Sequence, residues 1–146
     1  MFTTPCFIRK NTPELRKKLE ELGYLPPSKM WYDEDFAICT VYRDNNGEYF
    51  TFKIDEDFER IIAPSYPYID CSDNEELFLS LAALRDDTDV NQWFIYNTIG
   101  NRVGKFETVE WVKCLDVKME DYFSYDSIYK FMRKATVKEI IEHFSN

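Results

Sequence analysis

The chain has a single histidine, His143, and its four cysteines are scattered at positions 6, 39, 71 and 114. A structural zinc site draws on closely spaced Cys and His ligands, so this supply argues against zinc. Glycine and proline are sparse, at four and six residues, which excludes low-complexity linkers. No Walker A, G-x-G-x-x-G or G-x-S-x-G pattern occurs, so a glycine-rich phosphate cradle and a nucleophile elbow are both unsupported. No apolar run reaches the ~18 residues of a membrane span, so no membrane association is expected. The opening "MFTTPCFIRK" lacks a charged start followed by a long apolar stretch, so no secretory leader is expected. With Cys39 inside an apolar strand pattern, these features point to reduced thiols and a cytoplasmic protein. The even cysteine count keeps disulfides open as an alternative.

What is present is a packed chain. Of 146 residues, 45% are apolar and 17% aromatic, a composition for one globular domain spanning 1–146. The net charge of −9 is unevenly spread. Residues 1–30 carry six basic and three acidic groups, residues 31–100 four and sixteen, and residues 101–146 eight of each. Such an acidic centre repels phosphate and argues against duplex nucleic acid as a partner, with the basic N-terminal helix as the one exception.

Three helices are legible. In "TPELRKKLEELGY" Thr12 caps, Pro13 takes the first position and Gly23 ends the helix, with Leu15, Leu19 and Leu22 as its stripe. Arg16, Lys17, Lys18, Glu20 and Glu21 read as a solvated face. "SDNEELFLSLAALRDD" is capped by Ser72 or Asp73 and carries Leu77, Leu81 and Leu84, widened by Phe78 and Leu79. "RKATVKEIIEHF" has a Thr136/Glu139 capping box with Ile140, Ile141 and Phe144 on its apolar side. Strands are expected at "CFIRKN" (an edge strand), "QWFIYN" and "KFETVEWVKCL", while "FERIIAPSYPYID" reads as irregular and "MEDYFSYDSIYKFM" is ambiguous.

The clearest hairpin joins "FAICTVYR" to "EYFTFKI", with Asn46-Gly47 suited to a type I′ turn. Cys39 and Val41 must share a side with Phe50, Phe52 and Ile54, which fixes the register to alternate steps. A two-residue Asn46-Gly47 loop sets Phe36 opposite Asp57, and a four-residue loop over 44–47 sets it opposite Asp55. Either register gathers the two copies of "DEDF", Asp33, Glu34 and Asp35 with Asp55, Glu56 and Asp57, at one open end of the hairpin.

A faint internal echo relates "FIRKNTPELRKKLEEL" to "YIDCSDNEELFLSLAAL", and suggests an αβ unit repeated over 5–54 and 67–115. "TPELRKKLEELGY", "NEELFLSLAALRDDTDVNQWF" and "RKATVKEIIEHF" together resemble small proteins of gut Bacteroides genomes and their phages. The resemblance covers the three helices and the strand after the second. It implies a mobile-element or phage accessory protein and brings no active-site residues with it.

The acidic cluster at 33–35 and 55–57 is the leading candidate for binding, through a basic protein surface. Hard cations such as Mg²⁺ or Ca²⁺ are the rival occupants, and a plain solvated strand end is the third account. "RDDTD", with Asp86, Asp87 and Asp89, contains a D-x-D arrangement and makes Asp86 and Asp89 weaker candidates for a metal, against a simple post-helix turn. Tyr66 and Tyr68 in "PSYPYID" are candidate interface aromatics, weighed against core packing. His143 lies in the last turn of its helix, where it serves the dipole better than catalysis. No motif calls for a cofactor and no residue set for a catalytic role. The expectation is an α+β protein, with a mainly antiparallel sheet of about five strands and helices on one face. Its expected role is a non-catalytic binding or accessory protein acting through an acidic surface. The alternative is a small carboxylate-dependent metal-binding protein or enzyme.

Overall fold

The computed structural model of the chain describes residues 2–25, 35–43, 46–53, 67–99, 107–114 and 132–145. It is an α+β fold in which, among the described residues, seven strands form two sheets beside three helices. The order is β1 (Cys6–Ile8), α1 (Pro13–Glu21), β2 (Phe36–Arg43), β3 (Asn46–Lys53), β4 (Ile69–Asp70), α2 (Glu75–Ala82), β5 (Trp93–Ile99), β6 (Glu107–Lys113), β7 (Met132–Lys134) and α3 (Val137–Phe144). The first sheet runs β3-β2-β1-β4 and the second β6-β5-β7. Among the described residues, only the β1–β4 pair is parallel. The single sheet of about five strands expected from sequence is thus two smaller ones. The order strand, helix, hairpin occurs twice, as β1-α1-β2-β3 and as β4-α2-β5-β6.

β1 is not the expected edge strand, because it pairs with β2 on one side and β4 on the other. Cys6, Phe7 and Ile8 are all buried, and an unbroken apolar run is what a strand covered on both faces requires. The ladder to β4 continues past it, with Cys71 N–H donating to the Phe7 carbonyl and Arg9 N–H to that of Ser72. Ile69 and Asp70, at the end of the stretch read as irregular, supply β4.

The hairpin keeps the expected sidedness, with Cys39 opposite Phe50 and Ala37 opposite Phe52. Its turn differs from expectation. Arg43 pairs with Asn46 and Tyr42 with Gly47, so Asn46 and Gly47 lie in β3 rather than in the turn. Phe36 therefore faces Lys53, not Asp55 or Asp57. Alternation encodes only the side to which a residue points, so it cannot separate registers two steps apart. Packing decides here: Tyr49 is fully buried opposite Thr40, and its N–H donates to the Leu25 carbonyl.

The helices start where side chains can hold their free N–H groups. Thr12 accepts from Leu15 N–H, and the Thr136/Glu139 capping box forms in full. The second cap is Asn74 rather than Ser72 or Asp73: its Oδ1 accepts from Leu77 N–H, while its Nδ2 donates to the Phe144 carbonyl on α3. Ser72 instead takes a left-handed conformation (φ 52°) and donates its N–H to Asp70 Oδ1. At the end of α1, Gly23 adopts φ 106°, a region that a Cβ resists.

One core joins all the layers. Cys6, Ile8, Ile38 and Tyr49 of the first sheet meet Leu15 and Leu19 of α1 and Leu77, Phe78 and Leu81 of α2. Ile95 with Trp93 and Trp111 carries the second sheet into the same core, against Ile140, Ile141 and Phe144 of α3. The reverse faces hold smaller clusters, Phe7, Ala37 and Cys39 in one sheet and Phe94 and Cys114 in the other. Arg16, expected on a solvated face, is buried and donates to Asn11 Oδ1. A long apolar stem allows an arginine to pack in this way when its head has a partner.

Two polar groups close the connection from α2 to β5. Gln92 is fully buried, with Nε2 donating to the Ala83 carbonyl at 2.6 Å and Oε1 accepting from Arg85 N–H at 3.1 Å. Lys134 donates to the Thr88 carbonyl at 2.8 Å and pairs with Asp89 at 3.3 Å. No helix among the described residues is long and apolar enough to cross a membrane.

Candidate functional site

Of the six acids in the two "DEDF" words, Asp35 is described and is exposed at the start of β2. Asp33, Glu34, Asp55, Glu56 and Asp57 lie outside the described residues, as does Tyr66. Tyr68 is half-buried and packs against Phe7, Ala37 and Cys39. The Asp86/Asp89 pair is split. Asp89 turns to Lys134, whereas Asp86 is exposed. Between them Asp87 takes a two-pronged grip from Arg85, with Nε and Nη2 each at 2.9 Å. That hydrogen bonding holds the Asp87 carboxyl well below the usual range. Among the described residues, no group of three or more His, Cys, Asp or Glu side chains is placed to hold a metal ion.

The four cysteines and Tyr24 are packed away, whereas His143 is exposed. All four cysteines are free and buried. Burial pushes the Cys39 thiol up, and a hydrogen bond with Cys6 followed by burial pushes Cys71 up. Tyr24 is also raised by burial, and its hydroxyl donates to the Ala82 carbonyl at 2.8 Å. His143 stacks on Trp111 with ring centroids 4.0 Å apart and planes 16° from parallel. Trp111 also meets Phe144 edge-on, so the imidazole belongs to an aromatic stack at the end of α3.

An opening lies elsewhere, in a cleft of about 500 Å³ where α1 and α2 meet the ends of β5 and β6. α2 lines it with Glu76, Leu79, Ser80 and Ala83, which follow one another at i, i+3, i+4 and i+7 along one face. α1 adds Lys18, Glu21 and Leu22, spaced i, i+3 and i+4. Trp93, Phe144 and Lys113 form the facing wall, with Asn91 at the turn into β5. Asn91 has φ 64°, and its N–H donates to the Cys114 carbonyl at 2.7 Å, which fixes where Trp93 begins its strand.

The polar groups at this cleft divide into engaged and unengaged. Lys18 reaches Glu75 Oε1 at 2.6 Å, and Lys10 reaches the other oxygen at 2.9 Å. The Lys18 hydrogen bond, then that of Lys10, lowers the Glu75 carboxyl, and Glu75 raises Lys18 in return. Glu21, Glu76 and Lys113 are exposed and form no ion pair among the described residues. Ser80 is only 7% exposed, and its hydroxyl has no hydrogen-bond partner among the described residues. A helical serine commonly bonds back to the carbonyl four residues earlier, and Ser80 does not.

No motif in the sequence marks this cleft. Its signal was Leu79 beside the Leu77–Leu81–Leu84 stripe: α2 is apolar over more of its girth than one sheet covers. The fold and cleft define a small α+β protein with a preformed, apolar-floored opening at a helix–sheet junction. Comparison with protein-family models, with curated proteins and with solved structures returns no match.

Proposed function

We propose that the protein is a non-catalytic binding protein of the cytoplasm, an accessory of a mobile element or phage, whose acidic surface receives a basic partner protein. The observation that carries this reading is the segregation of charge. Residues 31–100 hold sixteen acids against four bases, and Asp35, Asp73 and Asp86 of that span are exposed. A surface of one sign raises the local concentration of oppositely charged partners and speeds their encounter. The burial of all four thiols and the engagement of His143 in an aromatic stack fit a surface-driven role.

The test is calorimetric titration with a lysine-rich peptide and with a glutamate-rich peptide of equal length. Binding of the lysine-rich peptide alone is expected, weakening steeply as salt rises and the charges are screened. Joint Asp35→Asn, Asp73→Asn and Asp86→Asn replacement should weaken it. Failure to bind the basic peptide, or binding indifferent to salt, would refute the reading.

A further inference from the structure

We propose that the cleft between α1, α2 and the β5–β6 end binds a small zwitterionic molecule with an apolar body, the chemistry shared by apolar amino acids and short apolar peptides. The inference is independent of the basic-partner reading, because it rests on the cavity and not on the acidic span.

Three observations converge on it. The first is size and lining. The volume of about 500 Å³ falls within the ~300–1,000 Å³ typical of small-molecule sites. Leu22, Leu79, Trp93 and Phe144 all pack on the main core and present their remaining surface to the opening. Such a floor takes an aliphatic or aromatic body.

The second is Ser80. Ser80 is 7% exposed on the cleft-lining stripe of α2, and its hydroxyl, which has no partner among the described residues, keeps access to the opening. A ligand carboxylate or amide in the cleft can satisfy it.

The third is charge of both signs. Lys18 is held by Glu75, so Lys113 is the cation left to meet a ligand carboxylate. Glu21 and Glu76 are the anions left to meet an ammonium. A simple anion would meet one cation against two carboxylates, in a chain of net charge −9. A simple cation would leave Lys113 unanswered. A zwitterion answers both.

The test is isothermal titration of the full chain with five probes: phenylalanine, the dipeptide Leu-Phe, its doubly blocked neutral form, phenethylamine and phenylpropionate. The two zwitterions should bind saturably at one site, and the blocked dipeptide and single-charge probes at least tenfold more weakly. A tighter dipeptide assigns the site to peptides, and a tighter phenylalanine to free amino acids; each supports the inference. Leu79→Trp, which fills the cleft, should abolish binding in a protein with unchanged circular dichroism. Should that variant not fold, Lys113→Gln at an exposed position decides: it should weaken the zwitterions at least fivefold and leave phenethylamine unchanged. The inference is overturned if no probe binds saturably, if the blocked dipeptide or phenethylamine binds as tightly as the zwitterions, or if Lys113→Gln has no effect.

Discussion

Replacing Gln92 with methionine keeps the size of the side chain and removes its hydrogen bonds to Ala83, Val90 and Arg85, made at 2.6, 3.3 and 3.1 Å. Gln92 is 1% exposed, so water cannot take over those roles. The Ala83 carbonyl at the end of α2 and the Arg85 N–H are the two groups stranded. At about 1–3 kcal/mol for each orphaned buried group, the substitution should cost about 3 kcal/mol. For a chain of this size each kcal/mol moves the melting temperature by ~2–4 °C, so a fall of roughly 6–12 °C is expected. Urea unfolding followed by tryptophan fluorescence measures it, as a lower midpoint at unchanged slope. Gln92→Glu refines the reasoning. It keeps an acceptor for Arg85 N–H but loses the donor, and it buries a charge at neutral pH. Burial would raise that carboxyl, so its penalty relative to the parent protein should shrink as pH falls and the group is neutralised. A methionine variant within about 0.5 kcal/mol of the parent would refute the claim that Gln92 ties α2 to β5, since such values are those of indifferent surface sites.

Three further outcomes are expected. Asn74→Asp retains the cap acceptor for Leu77 N–H but loses the donor to the Phe144 carbonyl, whereas Asn74→Ala loses both. Alanine should cost about 1–2 kcal/mol and aspartate less, and an aspartate variant as stable as the parent in urea unfolding would remove the α2–α3 tie. Glu139 is lowered from 4.5 to about 2, chiefly by its hydrogen bonds from Arg133. Its stabilising effect is therefore full above pH 4.5 and lost as pH falls through 2. Glu139→Gln should cost about 1 kcal/mol at neutral pH and nothing near pH 1.5, and a pH-independent difference would contradict the assignment. The buried thiols should resist a chromophoric disulfide reagent at pH 8 in the native protein, and all four should react in denaturant. Rapid native labelling would show that the core around Cys6 and Cys71 opens.

Local chemistry was legible wherever a short window settles the matter. The Thr12 cap, the Thr136/Glu139 box and the Leu77–Leu81–Leu84 stripe are decided within one or two turns, and each stands where the sequence placed it. What went unread depends on partners far along the chain. The Asn74 cap wins over Ser72 and Asp73 because Asn74 also reaches Phe144, 70 residues away. β1 looked like an edge because its second neighbour, β4, is two residues long and follows a proline-marked stretch. Alternation set the sides of the β2–β3 hairpin and left its register open by two steps. The cleft was illegible for the same reason, since α1, α2, α3 and the second sheet each supply part of it. The "DEDF" cluster lies mostly outside the described residues, with Asp35 alone placed at a surface.

The central claim is that this fold carries a preformed ligand cleft floored by Trp93. The most direct measurement is the indole N–H resonance of Trp93, assigned with Trp93→Phe, in nitrogen-correlated spectra during titration with Leu-Phe. A saturable shift of that resonance, with backbone shifts at Leu79, Ser80 and Lys113 following the same isotherm, is the expected result. Spectra in which the Trp93 indole and the Ser80 amide stay fixed at saturating peptide would contradict the claim.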